Sequence, residues 1–440
     1  MSDGETRATL SGVREHPERQ RIAGEVHARP FEALEGPLRG THLALLSEDG
    51  RRDHEAVCAL CRRYQQEPPA ADANHHSVDL GPFRLRWERH TEFSTYTFFV
   101  TRTATPTENP FAHTALETVP GEWLEKLPGE IIAAVHVTME DREAPERDAH
   151  EIATLFDCEN FAGSQVADGA ARVFTDFRLH EDGYGRILVQ DRGLPPRRTG
   201  RLIQRLLEIE TYRLLALLAF PVAREAGREL TQLERDLERV TERITRTANL
   251  EHEQSLLGEI SALSAQLEQV TSHTGFRLSA ARAYDALVRR RIENLREQRI
   301  RELQTIEEFL VRRFRPAMRT CESVSERQEN LAQRLSRAAD LLRTRVDIAL
   351  EGQNRDLLAS MNRRTDLQLR LQQTVESLSV LVMSYYGTGL LSYLYYAVEE
   401  LGVPLNTDLA MGITVPVVVG CVYVGLRIMR KRVLGQEEAH

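Results

Sequence analysis

Lysine is almost missing from this chain: Lys126 and Lys431 are the only two among 57 basic residues. That scarcity removes chemistries. No lysine follows a glycine-rich loop as a P-loop requires, and Lys126, in WLEKLPG, fits neither a P-loop nor a kinase strand. Cysteine is scarce too. Cys58, Cys61, Cys158, Cys321 and Cys421 are too few and too scattered for a disulfide framework, so the bulk of the chain reads as facing a reducing compartment. The N-terminal MSDGETRATLSG has no apolar core of the kind a cleaved signal peptide carries. HExxH, GxSxG, GxGxxG and EF-hand patterns are all missing, and His150-Glu151 and His252-Glu253 lack the second histidine of a zincin. The chain therefore reads as a non-enzyme with no organic cofactor.

What is present looks ordinary in bulk. The 440 residues are 41% hydrophobic and 28% charged, with a net charge of −9 and a mean hydropathy of −0.39. That balance excludes a disordered chain, a polytopic transporter made mostly of lipid-facing helices and a basic nucleic-acid binder. Arg289-Arg290-Arg291 and Arg312-Arg313 sit among acidic residues, as on a solvated helix face.

Position says more than composition. Between Glu376 and Glu399 lie 22 uncharged residues, and between Asp408 and Arg427 lie 18. At helical rise these reach roughly 33 and 27 Å, against a hydrocarbon core of about 30 Å. They predict a two-helix transmembrane hairpin over 377–426, with spans at 377–398 and 409–426. Pro416 is tolerable there, because neighbouring helices re-satisfy the freed carbonyl. Arg363, Arg364 and Arg370 precede the first span, and Arg427, Arg430, Lys431 and Arg432 follow the second, whereas the connecting EELGVPLNTD has no base. The positive-inside rule then puts both termini in the cytoplasm, the loop outside, and 427–440 as a basic cytoplasmic tail.

Residues 198–376 predict a helical stalk, with helices at about 199–219, 228–271, 277–315 and 320–376. Leu230, Leu233, Leu237, Val240 and Ile244 step by coiled-coil spacing, as do Leu256, Ile260, Leu263, Leu267 and Val270. SHTGF at 272–276 is the expected point of chain reversal, and Pro316 the expected end or kink of the next helix. These apolar faces pack either within an antiparallel helical pair or against other subunits.

Residues 14–197 predict a cytoplasmic α/β domain. Helical patterns (PERQRIAGEVHA, RRDHEAVCALCRRYQQ, PERDAHEIATLF) alternate with six or seven strand-like runs, among them LRGTHLALL, FRLRWERH, TEFSTYTFFVTR and IIAAVHVTM. HEDGYG joins ARVFTDFRL to RILVQ as a hairpin. The fold class is thus a mixed-sheet α/β domain, then long antiparallel helices, then the membrane hairpin.

Few residues suggest chemistry. His54, Cys58 and Cys61 have zinc-ligand types, but they share a helix with Val57 and Leu60, where free cysteine behaves as a small hydrophobe. Glu25, His27 and Arg29 could do acid–base work or bind an anion, or form a buried polar network; no nucleophile lies near them, which favours the network. Ser377, Ser384, Thr388, Ser392 and Tyr395 fall on roughly one helical face. That hydroxyl stripe lines a hydrated path in an oligomer, or lets helices pack closely. Glu399, Glu400 and Asp408 would form an acidic ring that concentrates cations at the mouth of such an oligomer.

Two resemblances follow. HPERQRIAGEVHARPFEALEGPLRGTHLALL, with LLEIETYRLLALL and the terminal hairpin, resembles a family of bacterial membrane-anchored proteins classed only as a domain of unknown function. That likeness covers nearly the whole chain and implies the inner membrane as location. In domain order, the chain is similar to CorA-type divalent-cation channels. Those are homo-pentamers whose first span lines the pore and ends in Tyr-Gly-Met-Asn. Here Tyr386-Gly387-Thr388-Gly389 matches the first two residues only, and lies mid-span. The resemblance implies a divalent cation as transported or regulatory ion. The partners implied are the lipid bilayer and further copies of the chain, with no nucleic acid; no motif points to a particular cytoplasmic partner.

Overall fold

The computed structural model describes His16, Glu18, Arg19, Ile22 and residues 31–47, 49–101, 108–246, 249–400 and 407–437, with backbone alone at 399–400, 407 and 429–437. Chain contacts divide it into two units. One comprises residues 1–246 and 258–339, the other 247–257 and 340–440.

The first unit is built on a nine-stranded sheet. Its strands are β1 (Leu38–Leu46), β2 (His75–Asp79), β3 (Arg84–Arg89), β4 (Phe93–Thr101), β5 (Glu130–Glu140), β6 (Ala162–Val166), β7 (Ala171–Thr175), β8 (Gly185–Asp191) and β9 (Gln298–Arg299). They lie in the order β2-β3-β4-β1-β5-β8-β7-β6-β9. Every neighbouring pair is antiparallel except β5 and β8. The expected β7–β8 hairpin is present.

Alternation along the central strands feeds two faces. Leu43 and Leu45 of β1, Leu85 and Trp87 of β3, and Tyr96 and Phe98 of β4 pack with Val57, Leu60 and Cys61 of α1 (Gly50–Arg63), and with Trp123 of α2 (Gly121–Leu124). Each such aromatic buries about 150–250 Å². Inside that core Asp53 is fully buried and accepts from Ser94 Oγ at 2.7 Å and Tyr96 Oη at 3.1 Å. A further cluster gathers Ile152 and Phe156 of α3 (Ala149–Phe156) with Phe161, Phe174 and Leu188. The opposite face is covered by α4 (Pro196–Leu217), where Ala44, Phe93 and Ala133 meet Leu215.

Four helices extend the unit. α5 (Ala219–Arg246) runs antiparallel to α6 (Leu250–Glu293), as Arg243 bonding Glu259 at 2.7 Å shows. α7 (Ile306–Arg313) leads to α8 (Arg315–Glu400), whose Arg327 grips Glu234 of α5 at 2.8 Å while Gln328 donates to Thr274 of α6 at 2.8 Å. The residues with coiled-coil spacing, from Leu230 to Ile244 and from Ile260 to Val270, are buried between these helices.

Three differences from the sequence reading have physical causes. SHTGF does not reverse the chain; α6 runs straight through it. Thr274 is buried between Val270 O and Gln328, and that tertiary tie outweighs the roughly 1 kcal/mol that Gly275 costs a helix. The helix break falls instead before Leu250, where the Asn249 side chain accepts from Glu251 N. The helix expected over 277–315 stops at Glu293. Residues 294–305 supply β9 to the open edge of β6 and bring Ile300 and Leu303 to the Phe161 cluster. Pro316 then occupies the first turn of α8, where no N–H is required of it. The helix read at PERQRIAGEVHA lies largely outside the described residues.

In the second unit, Glu253 pairs with Arg345 at 3.8 Å, and the end of α8 meets α9 (Thr407–Glu437). Tyr395 Oη and Thr414 Oγ1 lie 2.8 Å apart, and a Cβ on Gly387 would stand 3.2 Å from Val418. Among the described residues one helix is long and apolar enough to cross a membrane, Asp408–Ile428, with mean hydropathy 2.2. The 377–398 stretch does not reach that level. Four serines, five tyrosines, Thr388 and two glycines dilute its apolar content. Of the two spans expected, the apolarity criterion thus supports one.

Candidate functional site

Between the sheet and α4 the core is polar. Even-numbered His42 on β1, Arg86 and Glu88 on β3, and odd-numbered Thr95 and Thr97 on β4 all point to the α4 side, where Gln204, Glu208, Thr211 and Tyr212 face them. They surround a cavity of about 40 Å³, room for a few waters. α4 lies directly against the backbone of the segment that precedes β1 and borders this cavity, as Gly200 allows. A Cβ there would fall 1.9 Å from Glu32 O, and Leu34 N bonds Pro196 O at 3.1 Å beside it.

His42 is the centre of this site. Its Nδ1 lies 2.8 Å from Thr97 Oγ1 and its Nε2 lies 2.9 Å from Thr211 Oγ1. Thr211 spends its own proton on Leu207 O at 2.9 Å, so it accepts from His42. The ring therefore carries its proton on Nε2 and takes a hydrogen bond from Thr97 at Nδ1. Burial drives its pKa down to about 4, with Glu88 pulling the other way. A neutral imidazole of that kind is a poor base near neutral pH and a good hydrogen-bonding fixture.

Carboxylates of the site are paired. Glu88 accepts from Arg86 at 2.7 Å. Glu208 takes Gln204 at 2.8 Å and Arg291. Glu32 takes Ser77, with Arg84 at 3.8 Å. On the opposite face of the sheet the pattern repeats. His136 Nδ1 lies 2.8 Å from Thr41 Oγ1, its ring stacks on Tyr184 at 4.2 Å, and burial brings its pKa down to about 4. Adjacent Thr41 and His42 thus each belong to a Thr–His pair, one on each face.

These residues lie within a single whole-chain match. The chain belongs to the family described as Protein of unknown function (DUF3422). The match runs over residues 14–433 and so takes in the sheet, the helices and both C-terminal uncharged runs. No curated protein and no solved structure matches the chain. None of these comparisons supports a likeness to CorA-type channels.

The residues singled out in the sequence are scattered over this family architecture. Glu25, His27 and Arg29 lie outside the described residues. His54 Nε2 donates to Ala70 O at 2.8 Å, and its Nδ1 sits 3.6 Å from Cys58 Sγ. Cys61 is buried in the α1 core, where burial pushes its thiol up to about 11. Among the described residues no group of three His, Cys, Asp or Glu side chains is arranged to hold a metal.

The hydroxyl stripe is only partly turned inward: Ser377 is exposed, Thr388, Ser392 and Tyr395 are half-buried, and Ser384 is buried. Ser384 is buried in the groove that α8 forms with Met411, Val415 and Val419 of α9, and Tyr395 meets Thr414. Ser377 donates to Gln373 O at 2.9 Å, Ser392 to Gly389 O at 2.7 Å, and Thr388 to Ser384 O. Asp408 and Arg427 are exposed. The side chains of Glu399, Glu400, Arg430, Lys431 and Arg432 lie outside the description. Sequence reading missed His42 and His136 altogether. Each looked like one more polar residue in an apolar strand, and nothing in local spacing announces a partner 55 or 169 positions away.

Proposed function

We propose that this chain is a membrane-tethered binding protein of the bacterial inner membrane. In this reading the end of α8 and α9 form a two-span anchor, with both termini cytoplasmic, and the sheet unit is the part that meets a cytoplasmic partner or small polar ligand. The arginines at 363, 364, 370 and 427, together with Arg430, Lys431 and Arg432, support that orientation, as does a connecting loop without a base. The observation that carries the reading is the direction of the hydroxyl face. Tyr395 is spent on Thr414 of α9, Ser377, Thr388 and Ser392 on their own helix, and Ser384 is buried beside α9 with its Oγ unpaired among the described residues, so these hydroxyls serve helix packing rather than a shared path.

A second reading, a homo-oligomeric CorA-like cation channel, draws on Glu399, Glu400 and Asp408, three carboxylates at the outer loop with no base among them. Reconstitution decides between the two. Purified protein in liposomes loaded with a divalent-cation indicator is expected to admit Mg²⁺ or Co²⁺ no faster than empty vesicles. Flux that falls when Glu399→Gln and Glu400→Gln are introduced would overturn the tether in favour of the channel.

A further inference from the structure

Every residue from 350 to 375 of α8 is exposed, on all faces of the helix. A run this long gains nothing from packing within its own chain, and an isolated helix in water is marginal without such packing. Among the described residues its one ion pair is Arg355–Glu351 at 3.9 Å, a fully exposed i,i+4 contact of small value.

The run nevertheless carries an ordered apolar seam. Leu350, Leu357, Leu371 and Leu378 recur at seven-residue multiples, with Arg364 in the remaining place. Four residues after each stand Asn354, Met361, Gln368, Val375 and Val382. The alternating steps of four and three are those of a heptad, with leucine at the d positions and Asn354, Met361, Gln368, Val375 and Val382 at a. The leucines are well exposed, Leu357 at 61% and Leu371 at 66%. Charges avoid the seam. Of the charged residues from 350 to 378, Arg355, Asp356, Arg363, Asp366, Arg370 and Glu376 fall on the outward b, c and f positions. Glu351 flanks the seam at e, and Arg364 alone lies in it. With leucine at d and polar Asn354 and Gln368 at two a positions, parallel register sets each layer against its own kind, favourable for the leucine and amide layers and costly only at Arg364.

We infer that residues 350–378 form a parallel, in-register coiled coil with the same segment of further copies of this chain. The parallel sense rests on the membrane-tether reading: copies that enter one bilayer with one orientation present α8 in one direction, at high local concentration. Leu358 and Leu367 flank the seam at e and g and widen it.

Cysteine cross-linking of the full-length protein in native membranes tests this. With Cys421→Ser as background, Met361→Cys and Val375→Cys, both at a, are expected to form disulfide-linked dimers several-fold faster than the outward Ala359→Cys and Arg363→Cys. Carrying Leu357→Asp and Leu371→Asp together is expected to abolish that difference and to lower the native mass in detergent to one chain. Equal linking at all four positions, or linking at none, overturns the seam. Resistance of the protein to alkaline extraction from membranes is read on the same samples. Loss of membrane retention with a-position linking intact would refute the tether and leave the seam standing.

Discussion

His42 and His136 sit on opposite faces of one sheet, each held by a threonine and each kept neutral by burial, with pKa values lowered from 6.5 to about 4. The sign of the consequence is fixed. A group whose folded pKa lies below its unfolded value binds fewer protons when folded, so its stabilisation is complete above about pH 6.5 and is lost as pH falls towards 4. Folding stability is expected to drop on the order of 1 kcal/mol per pH unit per histidine across that window. Urea midpoints at pH 7 and pH 5 measure it, and the double variant His42→Asn, His136→Asn should flatten the slope between them. At this scale the sequence was least legible. Glu25, His27 and Arg29, and His54 with Cys58 and Cys61, drew notice because they cluster along the chain. The Thr97–His42–Thr211 network draws on three distant elements and has no local signature.

Elements were more legible than residues, because periodicity is local and breaks are not. β1, β3, β4, β5 and β8 follow from alternating or continuous apolar runs, and α1 and α3 from their 3.6-residue periodicity. Asp148 with Glu151 even supplies a capping box for α3. The short strands β2, β6 and β9, at or next to the sheet edges, have too few residues to show a period. Break points failed where tertiary contacts outbid a turn signal, as at Gly275. A glycine can also be kept for proximity rather than for turning. Gly200→Ala would drive a Cβ into Glu32 O, so it is expected to cost about 3 kcal/mol or to push the segment before β1 off α4. Gly258 has nothing within 4 Å, and Gly258→Ala should be neutral or slightly stabilising, as a helical glycine-to-alanine change is in open space. Urea denaturation of the two variants side by side separates crowding from helix propensity.

At the scale of the whole molecule, the membrane reading makes a distribution claim. A chain ending at residue 376 loses both uncharged runs and the Arg/Lys cluster that follows them. It is expected in the soluble fraction after cell lysis, with the circular dichroism of a folded mixed α/β protein, while the full chain sediments with membranes. Membrane retention of the shortened chain would move the anchor elsewhere in the molecule. Domain order, the long helices and the uncharged C-terminal runs were readable because each depends on composition over tens of residues. The pairing of β9 with β6 was not, because it joins an apparent helical stretch to a strand more than a hundred residues earlier.

What the sequence determined by itself is therefore what runs along the chain: a sheet domain first, helices next, two uncharged runs last, and bases flanking them. What the tertiary structure alone decided is which side chains share a space. It placed a neutral histidine between Thr97 and Thr211, and it turned Ser384 and Tyr395 towards α9. It also left residues 350–375 of α8 bare. The physical reason is range. Helix and strand periods are set by neighbours within a few residues, whereas burial and hydrogen-bond partnership are set by whichever distant segment the fold brings alongside.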